Sequence, residues 1–192
     1  MRVGVFGGTF DPPHVGHLLV AADVADALAL DRLLWIPAGT QPFKAEQATS
    51  PAADRLAMTR LMAAADKRFA CDALEIERGG LSFSVDTLRS LTAREPGATW
   101  FLCVGADAFR GFPRWREPGA IAAMATVAVL ARDGAEADAT ALAAVPGAVT
   151  VPVRRVDVSS TEVRARVRAG RSVQGFVTEP VAAYIAAHGL YR

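Results

Sequence analysis

The sequence predicts an α/β fold: a doubly wound, mostly parallel sheet flanked by helices on both sides. Three observations predict it. The apolar run RVGVF, residues 2–6, leads through the loop GGTFDPPHVGH into a segment with apolar residues at helical spacing, which is half of a βαβ unit. Strand-like and helix-like segments then alternate along the chain. The strand-like segments are apolar on both faces, as strands covered on both sides must be.

Each element has its own signal. Residues 14–29, HVGHLLVAADVADALA, carry a helical period, and RLLWIP at 32–37 reads as a second strand. Residues 51–66 form a helix introduced by Pro51, because proline lacks the amide that a helix start leaves unpaired. FACDALEIE, 69–77, is predicted as a third strand; RGGLSFS is a loop and VDTLRSLTARE a helix. TWFLCVG at 99–105, TVAVLAR at 126–132 and VTVPV at 149–153 complete six strands. Residues 133–148 look like a mobile surface excursion. VDVSSTEVRARVRAG and TEPVAAYIAAHGLY supply two closing helices. No repeat and no linker interrupts the pattern, so residues 1–192 are read as one domain.

Composition narrows the function. Hydrophobic residues make up 52%, but the longest apolar run, at 120–131, is shorter than the roughly 20 residues of a membrane span. Gly7 and Gly8 break any leader-like segment, so the expected location is the cytoplasm, with no membrane partner. A formal net charge of +1 is not that of a polycation built to grip nucleic acid. Cys71 and Cys103 sit in apolar runs and read as buried free thiols. Only Lys44 and Lys67 are lysines, which singles out Lys44 in its loop. The sequence leaves room for a homo-oligomer.

The opening loop holds two of the three histidines. Gly7 and Gly8 are expected to let the backbone turn and approach a ligand, Pro12 and Pro13 to stiffen the descent into the helix, and the free amides of the helix start to attract an anion. His14 and His17 are i,i+3 neighbours on an exposed first turn, so both rings can face that anion, most naturally a phosphate. Taken singly, a glycine loop is usually a turn and a histidine usually a satisfied polar residue. Zinc lacks further ligands here, since His188 lies far along the chain and no cysteine is adjacent; no protein-held metal is expected. GxxxxGK[ST] and GxGxxG loops are absent.

GGTFDPPHVGH, with the H-x-G-H element His14-Val15-Gly16-His17, resembles the signature of the nucleotidyltransferase superfamily. A second superfamily element is matched by SSTEVR, residues 159–164. Ser159 and Glu162 are also spaced as a capping box, but capping does not require Arg164. Within the superfamily the chain is similar to the bacterial nicotinate-nucleotide adenylyltransferases nearly end to end, through IPAGTQPFK, ERGGLSFSVDTL, FLCVGADAFRGFPRW, SSTEVR and VAAYIAAHGLY. It departs from that pattern with Phe43 before the loop lysine, where histidine is common, and with Phe83 and Ser84 in place of tyrosine and threonine.

The resemblance implies a Rossmann-like nucleotidyltransferase fold and adenylyl transfer from ATP to nicotinate mononucleotide, with magnesium accompanying ATP. By it, His14, His17, Lys44 and Arg164 do the catalytic work. Gly7, Gly8, Thr9, Phe10, Gly105, Asp107, Ser159 and Ser160 complete the ATP site. Phe83, Ser84, Trp115 and Arg116 receive the mononucleotide, Trp115 against its ring. From the residues alone, Asp107 is a helix N-cap or a ribose acceptor, Trp115 is ordinary packing or a stacking partner, and Asp11 is a loop brace. Three rivals stand. Phosphopantetheine adenylyltransferase lacks the LSFSVDTL and FPRW segments, a class I aminoacyl-tRNA synthetase is expected to need further domains, and a regulatory nucleotide-binding module has no reason to keep His14, His17, Ser160 and Arg164 together.

Overall fold

The structure, a computed structural model, describes residues 1–40, 49–132 and 142–192. Its centre is a six-stranded sheet: β1 (Arg2–Gly8), β2 (Arg32–Pro37), β3 (Phe69–Cys71), β4 (Thr99–Gly105), β5 (Thr126–Arg132) and β6 (Val149–Val153). All neighbouring strands pair in parallel, in the order β3-β2-β1-β4-β5-β6. That is the doubly wound order of the Rossmann type, whose ligand crevice opens beyond the carboxyl ends of the strands where the winding reverses, here between β1 and β4.

The helices are α1 (Val15–Ala27), α2 (Ala52–Ala63), α3 (Leu74–Arg78), α4 (Ser84–Arg94), the single turn α5 (Ala106–Phe109), α6 (Pro118–Met124), α7 (Ser160–Arg168) and α8 (Glu179–Ala187). A two-residue period sorts the strand side chains between two cores. Phe6, Leu33, Trp35, Phe101, Cys103, Ala128 and Leu130 point to the face covered by α1, α2, α7 and α8. Val3, Val5, Leu34, Ile36, Trp100, Leu102, Val127 and Val129 point to the face covered by α3, α4, α5 and α6. Among the described residues no helix is long and apolar enough to cross a membrane.

Two expectations need correction. FACDALEIE is a strand only over its first three residues and turns into α3 at Leu74. The carboxylate of Asp72 accepts the Leu74 amide at 2.9 Å and ends the extended run, and the alternating apolar residues behind it then sit on a helical turn. Of the expected excursion, residues 133–141 lie outside the described residues. Its last part is anchored: Val145 is buried in the second core, so 142–148 is not loose surface chain. Both cysteines are free, with Cys103 buried and Cys71 half-buried.

Candidate active site

The loop after β1 is shaped by packing. Neither Gly7 nor Gly8 adopts positive φ, contrary to the expected glycine turn; the left-handed residue is Phe10, at φ 49°. Phe10 holds this costly conformation because its ring is buried against Phe6, Trp35 and His17, at centroid distances of 5.8, 5.3 and 5.1 Å. Gly8 makes that possible in another way, since a Cβ there would lie 2.8 Å from the Phe10 ring. The Asp11–Pro12 peptide that follows is cis.

His14 is the N-cap of α1 and His17 its third residue, so the pair straddles the helix start. The start is not exposed as expected: His14 is buried and His17 half-buried. The rings lie 3.8 Å apart, tilted by 32°. A Cβ on Gly16 would meet the His14 ring at 2.9 Å, so the small residue between the histidines is what lets His14 fold over the turn.

The His14 amide donates to His17 Nδ1 at 3.2 Å. An amide can only donate, so Nδ1 is the unprotonated nitrogen of His17 and its proton sits on Nε2. His14 Nδ1 is buried with no hydrogen-bond partner among the described residues. Burial lowers the His14 pKa to about 4. Burial, with repulsion from His14, lowers that of His17 to about 3. Both rings are neutral at physiological pH. The expectation of free helix-start amides also needs correction: the His14 amide is taken by His17, and the Val15 amide by the Phe176 carbonyl at 2.9 Å.

A cavity of ≈ 620 Å³ opens beside the pair. Among the expected residues, His14, His17, Gly105, Asp107 and Ser159 line it, and Arg110, Arg132 and Arg154 add three guanidiniums. Asp107 is the second residue of α5, whose N-cap is Gly105, so it does not cap; it is exposed and paired with Arg110 at 3.0 Å. Arg154 is held against α1 by Asp23, at 2.7 Å between Nη2 and Oδ1, and this contact lowers the Asp23 pKa.

Ser160 and Arg164 do not line the cavity. They brace the first loop from α7: Ser160 Oγ donates to the Pro12 carbonyl at 2.8 Å, and Arg164 Nη1 to the Asp11 carbonyl at 2.7 Å. Ser159 caps α7 as expected, accepting the Glu162 amide at 3.1 Å. Asp11 is a brace, its carboxylate accepting from the Tyr191 hydroxyl at 2.7 Å and the Ser50 amide at 3.1 Å. Lys44 and Phe43 lie outside the described residues.

Phe83, Ser84, Trp115 and Arg116 form a second group on the other face of the sheet. Phe83 is the N-cap of α4, Ser84 its first residue, and the Arg116 guanidinium lies 5.0 Å over the Phe83 ring. Trp115 is half-buried against Phe112, 5.2 Å between centroids. Asp86, on the same helix start, is paired with Arg89 and Arg116. Backbone links connect this group to the first loop: Gly8 accepts from the Ala38 amide at 2.8 Å, and Gly39 donates to Ser82 Oγ at 2.9 Å. Sequence reasoning missed Arg55, buried in α2 under both loops, and the Tyr191–Asp11 contact. A lone arginine on an otherwise apolar helix face was the available signal for the first; the second joins residues 180 apart and left none.

A switch-point cavity lined by neutral histidines and arginines suits a ligand rich in phosphate. The model of the cytidylyltransferase-like family matches residues 5–166. A protein of Gemmatimonas aurantiaca named "Probable nicotinate-nucleotide adenylyltransferase" is 49% identical over 197 residues, covering 100% of this chain and 93% of the relative. One of the same name from Thermus thermophilus is 43% identical over 192 residues, 100% of both chains. The solved Plasmodium falciparum nicotinic acid mononucleotide adenylyltransferase complexed with NaAD shares the fold, with a TM-score of 0.82 at 15% identity over 99% of this chain and 97% of that one. The chain belongs to the cytidylyltransferase-like family and, within it, to the nicotinate-nucleotide adenylyltransferases.

The histidine pair makes stability depend on pH. The unfolded chain protonates His14 and His17 near 6.5, while the folded protein keeps them neutral to about 4 and about 3. The unfolded state thus binds more protons in that window, and stability falls as pH drops below 6.5. Urea unfolding of the ligand-free protein should lose about 1 kcal/mol per pH unit for each ring between roughly pH 6 and pH 5, above the range of most carboxylates. His14→Gln should flatten the slope, and an equal slope in both proteins would contradict the assigned neutrality.

Proposed function

We propose that the chain transfers the adenylyl group of ATP to nicotinate mononucleotide, giving nicotinate adenine dinucleotide and pyrophosphate, a step of NAD biosynthesis in the cytoplasm. The observation that carries the transfer chemistry is the neutral histidine pair beside a cavity rimmed by arginines. The choice of acceptor is supported by the names of the full-length relatives.

The acceptor phosphate is ionised near neutral pH, so one of its oxygens attacks the α-phosphorus directly. The bond from that phosphorus to the bridging oxygen breaks, and its electron pair leaves with pyrophosphate. No protein nucleophile or general base is needed; alignment and charge stabilisation are. His17 offers Nε2–H to the phosphates, and being neutral it costs no reorganisation of a counter-charge. His14, beside it, offers a ring N–H to the same phosphates. Arg110, Arg132 and Arg154 offset the charge of the triphosphate from the far wall, and Asp107 accepts from the ribose. Ser160 and Arg164 hold the first loop for this work, Ser160 through its one hydroxyl proton on the Pro12 carbonyl, and Arg164 keeps guanidinium donors beyond the one on Asp11 to turn toward phosphate; Lys44 adds a cation from its loop.

The donors facing the cavity are imidazole and guanidinium N–H groups, which address phosphate oxygens and not a cation. Among the described residues no group of three His, Cys, Asp or Glu side chains could hold a metal ion. A divalent metal, magnesium by expectation, would come with ATP as part of the substrate rather than on protein ligands, and would supply charge neutralisation for the phosphates. For the mononucleotide, Trp115 and Phe83 give aromatic walls, and the first-turn amides of α4 at 84 and 85 have no partner within the helix. Asp86 does not repel a carboxylate strongly there because two arginines pair with it.

The direct test is pyrophosphate release from ATP and nicotinate mononucleotide. His17→Ala should lower kcat by roughly 10²-fold, the scale of losing one transition-state donor. Turnover near that of the parent would remove the histidine from the mechanism. Because helix-start amides suit a carboxylate and leave a carboxamide NH₂ unpaired, nicotinate mononucleotide should exceed nicotinamide mononucleotide by about tenfold or more in kcat/KM. Equal values, or a preference for the amide, would sink the acceptor assignment.

A further inference from the structure

Arg55 stands in α2 on a face otherwise made of Met58, Thr59, Met62 and Ala63, and it is 2% exposed. Burying a guanidinium is costly unless its donors are satisfied. Here none of its hydrogen bonds goes to a carboxylate: among the described residues all reach backbone carbonyls in two loops and at the approach to α2. Nη1 donates to Thr9 at 2.9 Å and to Ala38 at 2.6 Å. Nη2 donates to Gly39 at 3.0 Å, and Nε to Ser50 at 3.2 Å.

The destinations of those bonds are informative. Thr9 belongs to the loop after β1, which presents the histidine pair. Ala38 and Gly39 follow β2, and Gly39 carries the segment leading to Phe83 and Ser84 through Ser82 Oγ. Ser50, the last acceptor, also donates its amide to Asp11 and so returns to the first loop. A side chain that served only to fill the core could be apolar; this one ends where the loop after β1 meets the loop after β2. A planar guanidinium makes these four bonds from three separated nitrogens, whereas an ammonium has three donors on a single nitrogen.

We propose that Arg55 is a positioning residue for the transfer: by fixing the loop after β1 to the loop after β2, it sets the spacing between the α-phosphorus of ATP and the attacking phosphate. The role rests on the adenylyl-transfer reading above. ATP lies against the loop after β1, and the mononucleotide against the α4 start that Gly39 ties to the loop after β2, so loss of the clamp leaves separate binding largely intact while the alignment needed for in-line attack is lost. A misplacement of the order of 1 Å is enough to cost about 10²-fold in rate.

The test uses Arg55→Lys and Arg55→Gln beside the parent protein, with ATP and nicotinate mononucleotide. Near-ultraviolet circular dichroism gives the folded fraction, and calorimetry gives the Kd of each substrate alone. Per folded molecule, kcat should fall roughly 10²-fold in the glutamine variant, with each Kd within about threefold of the parent. Lysine should restore only part of the rate. Full kcat per folded molecule, a loss confined to one substrate's Kd, or failure of both variants to fold would each overturn the role. A parent protein with no transfer activity would instead remove the activity reading, and the role with it.

Discussion

The hydrogen bond from the His14 amide to His17 Nδ1 is the contact on which the rest of the site depends. It uses the lone pair of one imidazole nitrogen within the protein and so forces the proton onto the other. The ring is then a donor of fixed direction at the start of α1. Phe10 and Phe6 pack edge-on against the same ring, and Trp35 packs against both. This apolar surround is what keeps the pair neutral. A charged imidazolium would bind resting phosphate more strongly; a neutral donor in a partly dehydrated cavity keeps its advantage for the charge that develops during transfer.

The sheet makes this contact useful by placing it at the carboxyl ends of β1 and β4, where winding reverses and a crevice must open. Everything around the first loop then acts to hold it there. Ser160 and Arg164 pin the Pro12 and Asp11 carbonyls from α7, Tyr191 and Ser50 hold the Asp11 carboxylate, and Arg55 takes Thr9 from below. The second histidine-distant motif, SSTEVR, thus has a mechanical function visible in the geometry as well as a chemical one in the proposal. The loop after β2 is tied to the same framework, so the two halves of the site are spaced by the fold.

Much of this was legible in the sequence. Six strands, their mostly parallel pairing and the helices on both faces followed from glycine-bounded apolar runs alternating with 3.6-residue periods, because strands buried on both faces must be apolar throughout; the strand order did not. The histidine pair, Asp11 as a brace and Ser159 as a cap followed from local spacing. What failed was also physical. FACDALEIE has a strand's alternation, but Asp72 bonding two residues ahead ended it. Gly7 and Gly8 suggested a glycine turn, while the left-handed position fell to Phe10, because burial among aromatics outweighs backbone preference. The helix-start amides were occupied by His17 and Phe176, contacts that no local rule predicts. Arg110 at the end of α5, Arg132 at the end of β5 and Arg154 just after β6 are far apart in sequence and meet only once the sheet is formed.

The central claim is that His17 is a neutral imidazole with its proton on Nε2. Imidazole ¹⁵N spectra of the ligand-free protein near neutral pH test it most directly, since there are only three histidines and the exposed His188 serves as an internal comparison. The account predicts that His17 shows one protonated nitrogen, Nε2, and one unprotonated, Nδ1, with His14 also neutral. Two protonated nitrogens on His17, or a proton on Nδ1, would contradict it.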